Sequence, residues 1–215
     1  MPRIVCTSCV RKKPLRNQLV LASLIATFNQ EPPMSRLPEL DPNQLSADQQ
    51  RVVAEITAGP RGEVRGPFIP LIHNAKASDA VQRMGSFLRF DGTLPAALRE
   101  MVILQVARHW SAQYEWFAHH KIALDVGLAP AIADAIAARQ RPEFNDALLE
   151  AAYDFVAELH RDHQVSDATF STVESALGAA QTVELVVLCG HYNLIAMVLN
   201  GFKVDVPGGL TPLAD

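Results

Sequence analysis

The stretch "QYEWFAHH", residues 113–120, puts a glutamate and two histidines behind one of the most apolar segments of the chain. Glu115 and His119 are four residues apart, so on a helix they share a face and can touch. A carboxylate against an imidazole fixes one tautomer and makes the other ring nitrogen more basic. Such a pair can move a proton to or from carbon. Trp116, Phe117, Ile122 and Leu124 give it apolar surroundings. A carboxylate buried there is costly unless it has a partner or a task. On an unbroken helix from residue 95, Arg108 would fall within ~40° of the same face. A break at Ser111 would spoil that alignment. The competing explanation is a chance pair on a surface helix.

Other side chains are candidates for the same pocket. Arg89, between aromatics in "FLRF", suits ring stacking or a carboxylate clamp. His191 and Tyr192 lie inside a second apolar stretch, where polar atoms need partners or a cavity. His73 follows a Gly/Pro-rich segment and could reach a pocket mouth. No metal is expected: Glu115, His119 and His120 lack the H-E-x-x-H spacing, and adjacent histidines diverge by about 100°. His160 and His163 sit near the end of a charged helix, where the dipole suits them. Cys6-x-x-Cys9 resembles half a zinc ribbon, but no second pair follows. No phosphate-binding loop and no G-x-S-x-G occurs, so a nucleotide cofactor has no support.

These residues need helices to position them. "DPNQLSADQQRVVAEITAG" has Ser46 as N-cap, Gln49 as capping-box partner and Gly59 as stop. The Gly/Pro-dense segment 59–70 reads as a loop long enough to cover a pocket. A helix is expected over 78–90, capped by Ser78 or Asp79. "LPAALREMVILQVARHW" (94–110) is apolar nearly all round, hence central. Ser111 is the expected cap of the next helix, which Gly127 ends. Further helices are expected over 129–140, 142–163, from Ser166, and over 180–200. No strand alternation is evident. The pattern is an all-α bundle, and two helices this apolar imply cover from a subunit interface.

The 215 residues suit one domain. Net charge is −4, from 19 basic and 23 acidic side chains, so neither nucleic acid nor an anionic membrane is an expected partner. Uninterrupted apolar runs fall short of a membrane span. Three cysteines, Cys6, Cys9 and Cys189, make no disulfide framework, which fits a cytoplasmic protein. Residues 1–33 are set apart: Arg3, Arg11, Lys12, Lys13 and Arg16 precede "LVLASLIATF". This imitates a secretory signal but lacks a cleavage site. It reads as a dispensable extension or a mis-assigned start, with the helical domain over 34–215.

The segment "LPAALREMVILQVARHWSAQYEWFAHHKIALDVGL" (94–128) resembles the core motif of the carboxymuconolactone decarboxylase-like family, whose other branch is the AhpD-type alkylhydroperoxidases. Arg99–Glu100, "YEW" at 114–116, His119, Ala123 and "GL" at 127–128 carry the likeness. It implies an AhpD-like, all-α, homo-oligomeric bundle (dimer, trimer or hexamer) without a cofactor. The peroxidase branch carries C-x-x-C-x-x-x-H. Counting back from His119, those cysteines would stand at Ala112 and Glu115, so the likeness is to the decarboxylase side. It implies loss of carbon dioxide from a small carboxylated lactone or related acid. His119 would be the proton donor and Glu115 its orienting and proton-relay partner. Arg108 or Arg89 would clamp the substrate carboxylate, and Tyr192 and His73 would line the pocket. The alternatives are a non-catalytic small-molecule-binding oligomer and a hydroperoxide-related enzyme without the cysteine pair.

Overall fold

The computed structural model describes residues 35–214, which belong to one compact unit, Met34–Asp215. The expectations for residues 1–33, including the Cys6–Cys9 pair, lie outside the described residues. Among those described there is no strand. Eight helices follow in order: α1 (Ala47–Ala58), α2 (Phe68–Leu71), α3 (Ala75–Ser86), α4 (Ala96–His109), α5 (Gln113–Asp125), α6 (Pro130–Ala137), α7 (Ala147–Asp162) and α8 (Asp167–Phe202). A π-helical turn, Phe87–Asp91, extends α3.

Local signals set several boundaries. Ser46 Oγ accepts from the Gln49 amide, and the Gln49 side chain accepts from the Ser46 amide at 2.9 Å, closing the capping box that starts α1. Ser166 caps α8 through the Thr169 amide. The helix expected from residue 78 begins earlier, because Asn74 accepts from the Ala77 amide at 3.2 Å and leaves Ser78 buried within α3. The helix expected from 142 begins at 147, where Asp146 accepts from the Leu148 and Leu149 amides. Ser111 does not cap α5. It adopts a left-handed φ of 47° and its hydroxyl is held by Arg108 Nη1 at 3.2 Å and Arg139 Nη2 at 2.9 Å.

Helix α4 is the centre. Every residue from Glu100 to Arg108 is buried, because α5, α7 and α8 all pack on it. A helix with no solvent face has to be apolar all round. Helix α8 bends at Gly178, whose φ of 76° lies outside the helical region. Its length and mean hydropathy would suffice to cross a membrane, although Glu184, His191 and Asn193 interrupt its apolar runs, and about half of its most apolar stretch is buried inside the protein (56%). A core helix passes that length test for this reason.

The start of α4 is fastened to α8 by Glu184. Its carboxylate accepts from the Thr93 amide at 2.9 and 3.0 Å, the Thr93 hydroxyl at 2.8 Å and the Leu94 amide at 3.2 Å. Burial raises this carboxyl, but the donors from Thr93 and Leu94 outweigh it and hold it below its ordinary value. Removing the acceptor strands these donors. Glu184→Ala is therefore expected to cost about 2–4 kcal/mol in urea unfolding, and Glu184→Gln, which keeps one acceptor oxygen, less. An Ala variant within about 0.5 kcal/mol of the parent would contradict the fastening role.

Candidate active site

The break at Ser111 folds α5 back along α4, and this decides which groups meet. His119 Nδ1 lies 2.7 Å from Glu100 Oε2, a contact between two helices. The second oxygen of Glu100 accepts from Arg99 Nε at 3.3 Å. An ionised carboxylate can only accept, so Nδ1 carries the proton and Nε2 keeps its lone pair. The expected pairing of His119 with Glu115 is thus replaced by one with Glu100. Glu115 and His119 do lie one turn apart on α5, but a carboxylate from α4 takes the imidazole Nδ1 instead.

Both members of the observed pair are buried, Glu100 at 1% and His119 at 6% exposure. Burial pushes the Glu100 carboxyl up, and the His119 hydrogen bond, with Arg99 behind it, brings it below its ordinary value. Burial holds His119 below the usual imidazole range, the Glu100 bond offsets part of this, and the nearby Arg89 and Arg61 charges add to it. His119 is a neutral imidazole at neutral pH.

Glu115 has the opposite character. It is 2% exposed, and neither carboxyl oxygen has a hydrogen-bond partner among the described residues. Burial raises its pKa well above the ordinary carboxylate value. It is a neutral acid that keeps its proton where other glutamates have lost theirs.

Glu115 and His119 open into one cleft of about 80 Å³, space for several waters or a small ligand group. Tyr192 joins them from α8, its ring edge-on to His119 with centroids 5.2 Å apart. His191 lines the cleft beside it and burial, with Arg61 close by, pushes it down to about 4. Arg89 reaches the rim from the π-helical turn, its guanidinium 5.1 Å from the Phe90 ring. The loop between α1 and α2 contributes Arg61, Glu63 and Arg65 to the lining.

Two expected site residues lie elsewhere. Arg108 does not line the cleft, because the turn at Ser111 draws its guanidinium onto the Ser111 hydroxyl. His73 faces a separate apolar hollow of about 380 Å³, with Leu40, Val53 and Ile72. His120 is half-buried and stacks on Trp116. His160 does more than sit at a helix end: it packs on His109 at 4.3 Å and contacts Asn193 and Cys189. Cys189 is a buried free thiol pushed up to about 11 by burial and lines no part of the cleft.

Sequence reasoning missed Glu100, the buried partner of His119, and Arg61 in the cleft lining. Glu100 had one available signal. It is the single acid in "REMVILQVARHW", and a carboxylate on a fully buried helix demands a partner. Arg61 gave none, since a loop arginine has no periodicity to place it.

No family model matches the chain, and no curated protein matches it. Solved structures similar to it include the AhpD core of an alkylhydroperoxidase, an uncharacterized peroxidase-related protein from Ralstonia eutropha JMP134. It has a TM-score of 0.68 at 20% identity, over 85% of this chain and 97% of that one. A peroxidase-related protein from Silicibacter sp. TM1040 gives 0.67 at 17%, over 86% and 98%. A protein of unknown function from Agrobacterium tumefaciens, a putative antioxidant defence protein AhpD, gives 0.58 at 16%, over 66% and 99%. The chain has an AhpD-like all-α fold. At these identities the likeness is one of fold.

A carboxyl whose folded pKa lies above its unfolded one loses stability as pH rises between the two values, because the unfolded chain releases the proton first. Glu115→Gln removes that loss. The variant is expected to be more stable than the parent at about pH 8, with the gain shrinking toward about pH 4.5, by chemical denaturation at both pH values. A gain independent of pH, or a loss at the higher pH, would show that Glu115 is ionised in the fold.

Proposed function

We propose that this protein is a cofactor-independent proton-transfer enzyme, and within that class a carboxy-lyase acting on a small carboxylated lactone or related acid. The observation that supports it is His119, held by the buried Glu100, lining a cleft beside a protonated Glu115 together with Arg61, Arg65 and Arg89. An acid and a base whose environments push their pKa values apart are the parts such chemistry needs.

Arg89 draws the substrate's carboxylate to the rim. The bond between that carboxylate and the ring breaks, carbon dioxide leaves, and its electron pair enters the ring as a dienolate. Neutral donors suit the developing oxyanion, and the Tyr192 hydroxyl, its pKa pushed up by burial, is one. The Glu115 proton then passes to carbon. Solvent water supplies the replacement proton: it protonates His119 Nε2, the transient imidazolium is stabilised by Glu100, and the proton passes on to the Glu115 carboxylate. His119 is therefore a relay and Glu115 the donor, the reverse of the roles that the motif alone suggests.

The names of the similar structures favour a second reading, hydroperoxide handling. It would have to proceed with Ala112 and Glu115 at the two positions where a thiol pair would stand, and with Cys189 remote from the cleft. A non-catalytic binder is the third reading. A homo-oligomer of two, three or six chains in the cytoplasm is part of the proposal. Its support is the outer face of α8, where Val183, Val186, Val187, Leu194 and Met197 are exposed and an apolar stripe invites a partner.

Release of carbon dioxide from a panel of carboxylated lactones tests the proposal. Turnover is expected with at least one of them, and His119→Gln is expected to lower it by about 10²–10⁴. Tight binding without release would favour the binder. Peroxide consumption with an added thiol and no carbon dioxide would favour the second reading.

A further inference from the structure

Arg61 is placed by three glycines. Gly62 and Gly66 hold left-handed φ values of 74° and 56°, and Gly66 packs so closely on the Tyr114 ring that no side chain fits there. At Gly85 an added Cβ would lie 2.7 Å from Arg61 Nη2 and 2.8 Å from His191 Nε2. Helix α3 thus leaves a gap that this guanidinium fills. Its plane rests 4.9 Å from the Phe68 ring centroid and 5.9 Å from that of Phe90, the ring that Arg89 also approaches. Arg61 Nε is buried with no hydrogen-bond partner among the described residues. Burial, with the Arg89 charge, pushes this guanidinium down to about 10, so it remains a cation at neutral pH.

The charges at the cleft do not balance. Arg65 is paired with Glu63 at 3.0 Å. Glu100 is taken by Arg99 and His119. Glu115 is neutral. Arg61 and Arg89 have no ion pair among the described residues, though like charges side by side are unfavourable.

We infer that Arg61 and Arg89 form an anion subsite at the cleft mouth, and that its occupant is a small oxyanion ligand carrying two negative charges. Guanidinium forks recognise carboxylate or phosphate oxygens in pairs, and partial desolvation strengthens the contact. A monoanion would leave one of the two cations unmatched. The inference rests on the cleft being a substrate site and goes further: it gives the ligand's charge and makes Arg61 a specificity determinant.

Calorimetric titration of the full chain with malonate, inorganic phosphate and acetate at about pH 8, where malonate and most of the phosphate carry two charges, tests it, with no turnover needed. The dianions are expected to bind at least about tenfold more tightly than acetate, and the stronger of the two identifies a dicarboxylate or a phosphate group. Arg61→Gln is expected to abolish that preference, and Arg61→Lys, which keeps the charge without the fork, to restore part of it. Gly85→Ala, which keeps both charges but displaces the guanidinium, is expected to weaken dianion binding. Arg83→Gln, on the outer face of α3 where Arg83 pairs with Asp79, is expected to leave it unchanged. Malonate is also expected to slow tryptic cleavage after Arg61. Acetate binding as tightly as malonate, no dianion binding, or an Arg61→Gln variant equal to the parent would overturn the subsite. Dianion binding without carbon dioxide release would leave the subsite standing and remove the lyase reading.

Discussion

The 2.7 Å contact between Glu100 and His119 is where the packing problem and the chemistry coincide. Helix α4 is enclosed by α5, α7 and α8, and an ionised carboxylate in its middle is tolerable only with partners. Arg99 supplies one and His119 the other. For His119 to arrive there, the chain must leave α4, reverse and bring α5 alongside. The left-handed Ser111, its hydroxyl held by Arg108 and Arg139, makes that reversal. The arginine that a straight helix would have aimed at the site thus helps to build the turn that creates it.

Three buried glutamates receive three different treatments. Glu184 is surrounded by backbone and hydroxyl donors and holds α8 to the start of α4. Glu100 is shared between a guanidinium and an imidazole. Glu115 receives no protein donor and stays protonated. The first serves the fold, the second tunes a base, and the third is left as an acid facing the cleft. Desolvation acts on all three, and the number of donors reaching each one decides its protonation. In the proposed reading the cations at the rim complete the pattern, since an uncharged acid and base beneath two arginines would favour an anionic ligand without neutralising its charge.

Where information was local, the sequence was readable. The Ser46–Gln49 box, the Ser166 cap and the apolar girth of 94–110 follow from side chains within one helical turn. The all-α architecture follows from their sum. The grouping of Glu115, His119, Arg89 and Tyr192 in one cleft was anticipated, because a polar residue in an apolar helix needs somewhere to go. The Glu100–His119 pairing, nineteen residues apart, depended on the reversal at Ser111, and helical-wheel geometry does not survive a break. Asn74 outcompeted Ser78 as a cap by lying earlier in the chain. Arg61 depended on space that Gly85 leaves on another helix, information that no single segment contains.

Long-range proton–nitrogen NMR of His119 in the full chain addresses the central assignment most directly. The expected spectrum is that of a neutral ring with the proton on Nδ1 and an unprotonated Nε2, persisting from about pH 8 down to about pH 6. Replacing Glu100 by Gln should release that tautomer preference. An imidazolium at neutral pH, or a neutral ring with its proton on Nε2, would contradict the account.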